Sequence, residues 1–457
     1  MMISSSIFKA YDIRGIYKKD FDEQMAYNLG FAYIKLKKKD VKKTKTNYKF
    51  KIVVGADMRL SSPIIKKYLM KGLTDAGADI IDIGTVSTPT FYFAVANYKY
   101  DGGIMVSASH NPREWNGFKL VRPKAIPISG DSGIQFLQEQ INNKNIPVKN
   151  KGKITKKKDI IKEEIKFSLK HEQIKKIKPL KVITDTANGV GILYINELFK
   201  KLPIKVIKIN AKLDGSFPAH EADPLKDENL KQLKQEVIKR KADLGISTDG
   251  DGDRIFFIDN KGELIDQAII RGLLAKLFLL EKPKAKIGFD VRPGKITEDL
   301  IKENRGKAIK TRVGHSLIKE QMLKEAIYFS GESSGHFFIN MSIGCFEMPS
   351  IIILKLLQEF SSKNIPISEQ VAPYKKYFHS GEINREVENK EKIFKLLEKK
   401  YKTGKINKLD GITVEYKNFW FNVRGSNTEN KMRLNLEAID KKTMENKRDE
   451  VLKIIQS

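Results

Sequence analysis

Short apolar runs closed by polar turns alternate with segments of helical spacing along most of the chain. Lys51 to Ala56 (KIVVGA), Asp79 to Ile83 and Gly103 to Val106 are rich in β-branched and small residues, as buried strands are. After the first of them, Asp57, Arg59 and Ser61-Ser62-Pro63 open a helix predicted to run to about Ala76, with Gly77 as its stop. Phe21 to Tyr33 has helical spacing, with Phe21, Met25, Leu29 and Ala32 on one face. Lys35 to Lys49 is lysine-rich without a period, and an exposed loop is expected there. The polar stretch Asn142 to Lys158 reads as a linker. A second unit starts at Lys181 (KVITDTANG), passes a strand near Lys205 to Ile209 and reaches a strand over Ala242 to Ser247. A third begins near Gly262, carries a helix from Asp266 to Glu281 and resumes at Lys286 (KIGFDVRPG). From about Val371 the texture changes. Strands over Ile412 to Val414, Phe419 to Val423 and Met432 to Leu436, with helices near Lys390 to Lys402 and Lys442 to Ile455, indicate a smaller α+β domain.

Strand–helix alternation of this kind predicts an α/β fold with mixed, largely parallel sheets. Four domains are expected: three related α/β units at 1–152, 153–261 and 262–368, then a C-terminal α+β domain at 369–457. The relation between the three units rests on an internal echo. KIVVGAD, KVITD and KIGFD each put an aspartate at the end of a lysine-led apolar strand.

At 457 residues the chain exceeds what one core can organise. The balance of 85 Lys+Arg against 56 Asp+Glu gives +29, a charge that suits nucleic acid, acidic membranes or anionic small substrates. The lysines spread over nearly every predicted surface helix, and no block of stacking aromatics interleaves with them. That pattern is a solvated basic surface, and no nucleic-acid partner is expected. Cys345 is the single cysteine, so no internal disulfide forms and a reducing compartment is indicated. The start of the chain lacks a basic segment followed by a long apolar run, and Gly272 to Leu280 is interrupted by Lys276. A cytoplasmic protein with no membrane partner is expected.

Two stretches carry the chemistry. Ser107 to Lys119 (SASHNPREWNGFK) follows a buried strand and leaves Ser109 at the strand's carboxyl end, on a turn closed by Pro112. That edge is where open α/β sheets bind ligands. Ser247 to Arg254 (STDGDGDR) sets Asp249, Asp251 and Asp253 on a loop with two glycines between them. Three carboxylates so close repel one another and call for a cation. Magnesium suits them, because it takes few protein oxygens and adds phosphate oxygen. An EF-hand fails, since Arg254 stands where its sixth-position glycine belongs and Asn260 where its glutamate belongs. A haloacid-dehalogenase nucleophile fits poorly with Asp253 in place of Thr or Val. A solvated acidic turn is the bland alternative. A phosphoserine at Ser109 would approach a dianion with three acceptor oxygens, for which Arg14, His110, Lys119 and Arg254 are candidate donors. The competing Ser-His-Asp hydrolase reading lacks its G-x-S-x-G elbow. Gly331 to His336 (GESSGH) offers Glu332 and Ser334 for sugar hydroxyls and His336 for acid–base work. Arg424 to Thr428 (RGSNT) reads equally as a phosphate cradle or as a plain hairpin turn. Arg292 and His315 are further cationic candidates.

SASHNP with NGFK, DGDGDR, GESSGH and RGSNT, in that order and at this separation, resemble the α-D-phosphohexomutase superfamily. The resemblance spans essentially the whole chain, FKAYDIRG at Phe8 to Gly15 included. Within it, NGFK and GESSGH look most like the bacterial and archaeal phosphomannomutase/phosphoglucomutase branch. Phosphoglucosamine mutases typically carry glutamine in the position of Ser333 and isoleucine in that of Phe118. The resemblance implies four domains around one cleft and an enzyme interconverting hexose 1-phosphate and hexose 6-phosphate through a bisphosphate intermediate. It implies Ser109 as phosphoserine and, through its phosphate, a fourth magnesium ligand beside Asp249, Asp251 and Asp253. It further implies catalytic roles for Arg14, His110, Lys119, Arg254 and His336. Tyr11, Arg292, His315, Glu332 and Ser334 would contact the sugar phosphate, and Arg424, Ser426, Asn427 and Thr428 the distal phosphate. Mg2+ and hexose 1,6-bisphosphate are the expected cofactors, phosphosugars the partners, and monomer or weak dimer the assembly. Two departures bear on sugar selectivity: Asn430 replaces the proline that usually follows the phosphate loop, and Cys345-Phe346-Glu347-Met348 replaces an acidic Asp-Asp-Gly run. A phosphoglucosamine mutase and a non-catalytic basic binding protein are the alternatives.

Overall fold

The computed structural model describes residues 4–41, 48–143, 145–172, 177–292, 294–425 and 431–456. The chain divides into two compact units, Met1–Ile265 with Gly335–Ser368, and Asp266–Ser334 with Glu369–Ser457.

In the first unit, β1 (Ile13–Ile16), β2 (Lys51–Ala56), β3 (Asp79–Thr85), β4 (Gly102–Val106), β5 (Trp115–Val121) and β6 (Ile154–Lys156) form a sheet ordered β1-β5-β4-β2-β3-β6. The run from β4 to β6 is parallel, and β5 lies antiparallel to both its neighbours. Helices α1 (Glu23–Asp40), α2 (Ser62–Asp75) and α3 (Thr88–Asn97) cover it. All of β4, and β2 after Lys51, is buried, which explains why these strands read as unbroken apolar runs. Ile52, Val54, Ile80, Ile104 and Phe118 meet Leu29, Leu69 and Leu73 in one core.

A second sheet of the same unit, ordered β10-β9-β7-β8, contains β7 (Lys181–Asp185), β8 (Lys205–Ile209), β9 (Leu244–Thr248) and β10 (Ile255–Asp259). β7 pairs in parallel with β8 and β9, while β10 returns antiparallel beside β9. The aspartate-rich loop is thus the connection of a β-hairpin. The hairpin Phe337–Met341 and Gly344–Glu347 and the helix Pro349–Ser362 also belong to this unit.

The second unit places Lys286–Asp290 between the parallel strands Lys307–Thr311 and Phe329–Gly331. It also holds an antiparallel sheet ordered Phe378–His379, Lys431–Ala438, Phe419–Gly425, Ile412–Glu415 and Lys405–Asn407, with Ile383–Glu386 on the second of these. Helices Lys390–Lys400 and Lys441–Ile455 bury Leu397 and Val451 against Val414, Phe421 and Leu434.

The α/β reading holds, with two local corrections. The lysine-rich stretch after Lys35 is not a loop at its start: α1 continues to Asp40, and Lys37 is buried. Lysine is a good helix former and no glycine or proline interrupts the run, while Ile34, Leu36 and the Lys37 stem pack inward. The expected linker 142–158 contains a strand as well: Ile154–Lys156 adds β6 to the sheet edge in parallel with Ile80 to Asp82. Among the described residues no helix is long and apolar enough to cross a membrane.

Candidate active site

The two motif loops of the first unit meet. Past the end of β4, Ser109 adopts a left-handed φ of 52° and is 2 % exposed. Its Oγ donates to Asp249 Oδ2 at 2.7 Å and lies 3.2 Å from His110 Nδ1. Asp249 Oδ1 accepts the backbone N–H groups of Gly252, Asp253 and Arg254, which folds the aspartate loop around it. Gly252 supplies the positive φ of 74° that this turn needs. A Cβ on Gly250 would come 2.6 Å from the Ser109 carbonyl oxygen, so only glycine lets the loops touch there.

Lys119, on β5, inserts its ammonium between Asp251 Oδ2 and Asp253 Oδ2 at 2.6 Å from each. Thr88, at the start of α3, donates its hydroxyl to Asp251 Oδ2 at 2.5 Å and its backbone N–H to the Asp251 carbonyl. His336 brings Nε2 to 3.1 Å from Asp253 Oδ1, and Glu347 lies in the same buried cluster. Arg14 is held by Asp12 and reaches the Asn111 side chain at 3.0 Å. Arg254 is largely buried: its Nη1 lies 3.6 Å from Asp223 Oδ1, and its Nε has no hydrogen-bond partner. Tyr11 sits half-buried on the turn before β1.

The electrostatics of this cluster are strong because water is excluded. Burial, together with Asp251 and Asp253, raises the Asp249 carboxyl well above the usual carboxylate range. Burial opposes ionisation of Asp253 too, yet Lys119 and His336 hold it well below that range. Burial likewise works against the Lys119 ammonium, and Asp251 and Asp253 outweigh it. Burial, Arg254 and Arg14 push the His110 imidazole well below its ordinary value.

In the second unit, Glu332 Oε1 accepts the Gly314 N–H at 2.9 Å and pairs with Arg292 Nη2 at 3.2 Å, while Ser334 donates to Glu332 Oε2 at 2.6 Å. His315 opens the helix that follows Gly314. Asp290 ends its strand by binding Arg292 Nε, the Ser333 N–H and hydroxyl, and Arg271. Arg424 Nη2 pairs with Glu382 Oε2 at 2.7 Å, and Arg433 Nη1 reaches the other oxygen at 3.4 Å. The strands that flank the RGSNT stretch, Phe419–Gly425 and Lys431–Ala438, pair antiparallel. Ser426, Asn427, Thr428 and Asn430 lie outside the described residues.

Along its length the chain matches four consecutive domains of one family: phosphoglucomutase/phosphomannomutase alpha/beta/alpha domain I over residues 5–146, domain II over 159–262, domain III over 267–377 and the C-terminal domain over 382–454. The chain belongs to the phosphoglucomutase/phosphomannomutase family. It is 40 % identical to the phosphomannomutase of Methanocaldococcus jannaschii, covering 98 % of this chain and 97 % of that one. A family protein from Burkholderia thailandensis superposes with a TM-score of 0.89 at 29 % identity, covering 100 % and 98 % of the two chains. An Aspergillus fumigatus N-acetylphosphoglucosamine mutase, solved with GlcNAc-6P and magnesium, shares the fold at a TM-score of 0.61 and 16 % identity over 93 % and 85 % of the chains.

The donor set of this phosphoglucomutase/phosphomannomutase family member fits a hard divalent cation. Asp249, Asp251 and Asp253 each offer an oxygen within 4.8 Å of the others, and Asp251 Oδ1 is buried without a hydrogen-bond partner. The repulsion among the three carboxylates is not left to a cation alone, because Lys119 neutralises part of the trio from within the fold. Sequence reading also missed Thr88, Arg271, Asp290 and Glu382 as supports of the site residues. Of these only Asp290 left a signal, as the aspartate of the KIGFD echo. The echo has a physical meaning at two of its three positions: Asp57 and Asp185 each accept the N–H two residues on and turn the chain at the carboxyl end of a parallel strand, whereas Asp290, at the matching strand end, accepts the N–H of the distant Ser333.

Proposed function

We propose that this enzyme interconverts hexose 1-phosphate and hexose 6-phosphate, of mannose, glucose or both, with Ser109 as the phosphoryl carrier. The observation that carries the reading is Ser109 Oγ fixed 2.7 Å from Asp249, beside a buried Asp251 oxygen and an Arg254 Nε that have no hydrogen-bond partner. That surround is built for a phosphoryl group together with a cation.

In the proposed reaction the P–Oγ bond of phosphorylated Ser109 breaks as a P–O bond forms to the free sugar hydroxyl, and the hydroxyl's proton ends on Oγ. The product is a hexose 1,6-bisphosphate. After it reorients, its other phosphoryl returns to Oγ and the proton goes back to the sugar. Such transfers depend on positioning and charge neutralisation. Lys119, Arg14 and Arg254 neutralise the transferring group, and His110 Nδ1, 3.2 Å from Oγ, suits passing the proton. A magnesium ion held by Asp249, Asp251 and Asp253 supplies Lewis-acid stabilisation of phosphoryl oxygens when bound. Glu332 and Ser334 take sugar hydroxyls, with His336 in acid–base support and Tyr11, Arg292 and His315 as further contacts. Arg424, with Ser426, Asn427 and Thr428, takes the non-reacting phosphate.

A coupled assay on mannose, glucose and glucosamine phosphates tests the reading. Magnesium-dependent turnover of mannose or glucose phosphate, lost on chelation and restored by the metal, is expected. Turnover of glucosamine phosphate alone would replace it with the phosphoglucosamine mutase alternative.

A further inference from the structure

We propose that Arg59 is a positioning residue for the reaction: a guanidinium clamp that fixes the backbone of the Ser109–Trp115 loop and thereby aims the serine Oγ. The inference rests on the reading of Ser109 as phosphoryl carrier.

Arg59 stands between β2 and α2 and is 1 % exposed. Its Nη1 donates to the carbonyls of Pro112 at 2.7 Å and Trp115 at 3.0 Å, and its Nη2 to those of Ser109 at 2.8 Å and Asn111 at 2.6 Å. One side chain therefore satisfies carbonyls from one end of the serine loop to the other. The clamp is itself braced. Asp57 Oδ2 lies 3.2 Å from Arg59 Nε, and the Phe217 ring covers the guanidinium at 5.0 Å from its centroid. Asp57 Oδ1 also accepts the Ser62 hydroxyl, and Ser61 and Ser62 accept the Asn116 side-chain amide. The turn after β2 thus grips the loop at its start and beyond its end.

Burying a guanidinium is costly unless its donors are used, and here both Nη groups are spent on the one loop that holds the proposed reacting oxygen. The left-handed backbone of Ser109 needs such support, because a non-glycine residue in that region stays there only when its surroundings enforce it. The Ser109 carbonyl held by Arg59 is also the atom that abuts Gly250 of the aspartate loop. A slip at Arg59 is thereby transmitted to the spacing between Oγ and Asp249. Lysine cannot replace the clamp, since a point charge lacks the planar fork.

The test is Arg59→Lys in the full chain, assayed well below its melting temperature with the folded state verified by circular dichroism. Expected are a kcat reduced about 100-fold, a KM within about threefold of wild type, and a matching drop in the rate at which glucose 1,6-bisphosphate loads phosphate onto Ser109, read by peptide mass spectrometry. A purely structural role would leave turnover per folded molecule unchanged, so a folded variant with kcat within about threefold of wild type overturns the proposal. If Arg59→Lys does not fold, Phe217→Leu keeps the arginine and removes the covering ring. Its loading rate is expected to fall about fivefold at unchanged KM, and an unchanged rate overturns the proposal. Failure of the wild-type protein to load Ser109 sinks the carrier assignment itself, a result distinct from normal loading in both variants.

Discussion

Two charged clusters, the one around Ser109 in the first unit and the one around Arg424 in the second, are built on different terms. Around Ser109, ionised groups are packed out of water: Asp249 and Asp251 are 0 % exposed, and the Lys119 side chain between two carboxylates is 4 % exposed. Around Arg424 the pairing partners keep contact with solvent, with Glu382 at 28 % and Arg433 at 32 %. Water screening makes the second set weak and exchangeable, whereas the first set is strong and intolerant of change. A transferring phosphoryl group needs fixed charges, while a phosphate that must be held and released needs an arginine whose partner can give way. With Ser109 as the proposed phosphoryl carrier and Arg424 as the proposed holder of the other phosphate, the two tasks differ in how far their ion pairs are exposed to water.

The sharpest way to break that contrast is Lys119→Met. Two buried carboxylates lose their internal counterion, so turnover should fall on the order of 1,000-fold and stability by about 3–5 kcal/mol. Denaturant titration and steady-state kinetics report both. Gly250→Ala comes next. Its new Cβ would strike the Ser109 carbonyl at 2.6 Å, and forcing the two loops apart should cost about 100-fold in kcat with about 1–3 kcal/mol of stability. An alanine variant of normal kcat would show that the seam between the loops carries no catalytic weight. Arg424→Ala, in the solvated set, should raise KM for hexose phosphate about tenfold and leave Tm nearly unchanged. An unchanged KM would return that arginine to a structural role in its hairpin.

The smallest expected effect on turnover comes from Glu164, which lies in the first unit and is bonded to the hydroxyls of Thr90 and Ser350. Burial raises its carboxyl to about 7. Unfolded, the group ionises near 4.5, so between that pH and about 7 the folded state holds the extra proton and stability falls as pH rises. Glu164→Gln should abolish this slope and gain about 3 kcal/mol at pH 8, measured by urea unfolding across the pH range. An equal slope in both proteins would show that burial does not raise the Glu164 carboxyl in the folded state.

Legibility followed sequence distance. The aspartate loop and the strand-to-serine turn announce themselves within a dozen residues, because glycine spacing and an apolar lead-in are local features. Lys119 was recognisable as a cation near Ser109, but its place between Asp251 and Asp253 depends on contacts 132 and 134 residues apart. Arg59 read as one residue of a helix start, since nothing local reveals that its donors reach carbonyls 50 to 56 residues away. The lysine run after Lys35 was misread for a related reason. Its lysines match a solvated loop by composition, while the fold buries Leu36 and the Lys37 stem and carries α1 on to Asp40. Strand β6 escaped because three exposed residues gain their order only from the neighbouring β3.

The most direct test of the central claim is to incubate the protein with glucose 1,6-bisphosphate and map phosphate by peptide mass spectrometry, alongside Ser109→Ala. The account predicts a phosphoryl group on Ser109 of the wild type, none in the variant, and loss of nearly all turnover with the hydroxyl. Normal turnover by Ser109→Ala, or by wild-type protein whose Ser109 never carries phosphate, would contradict it.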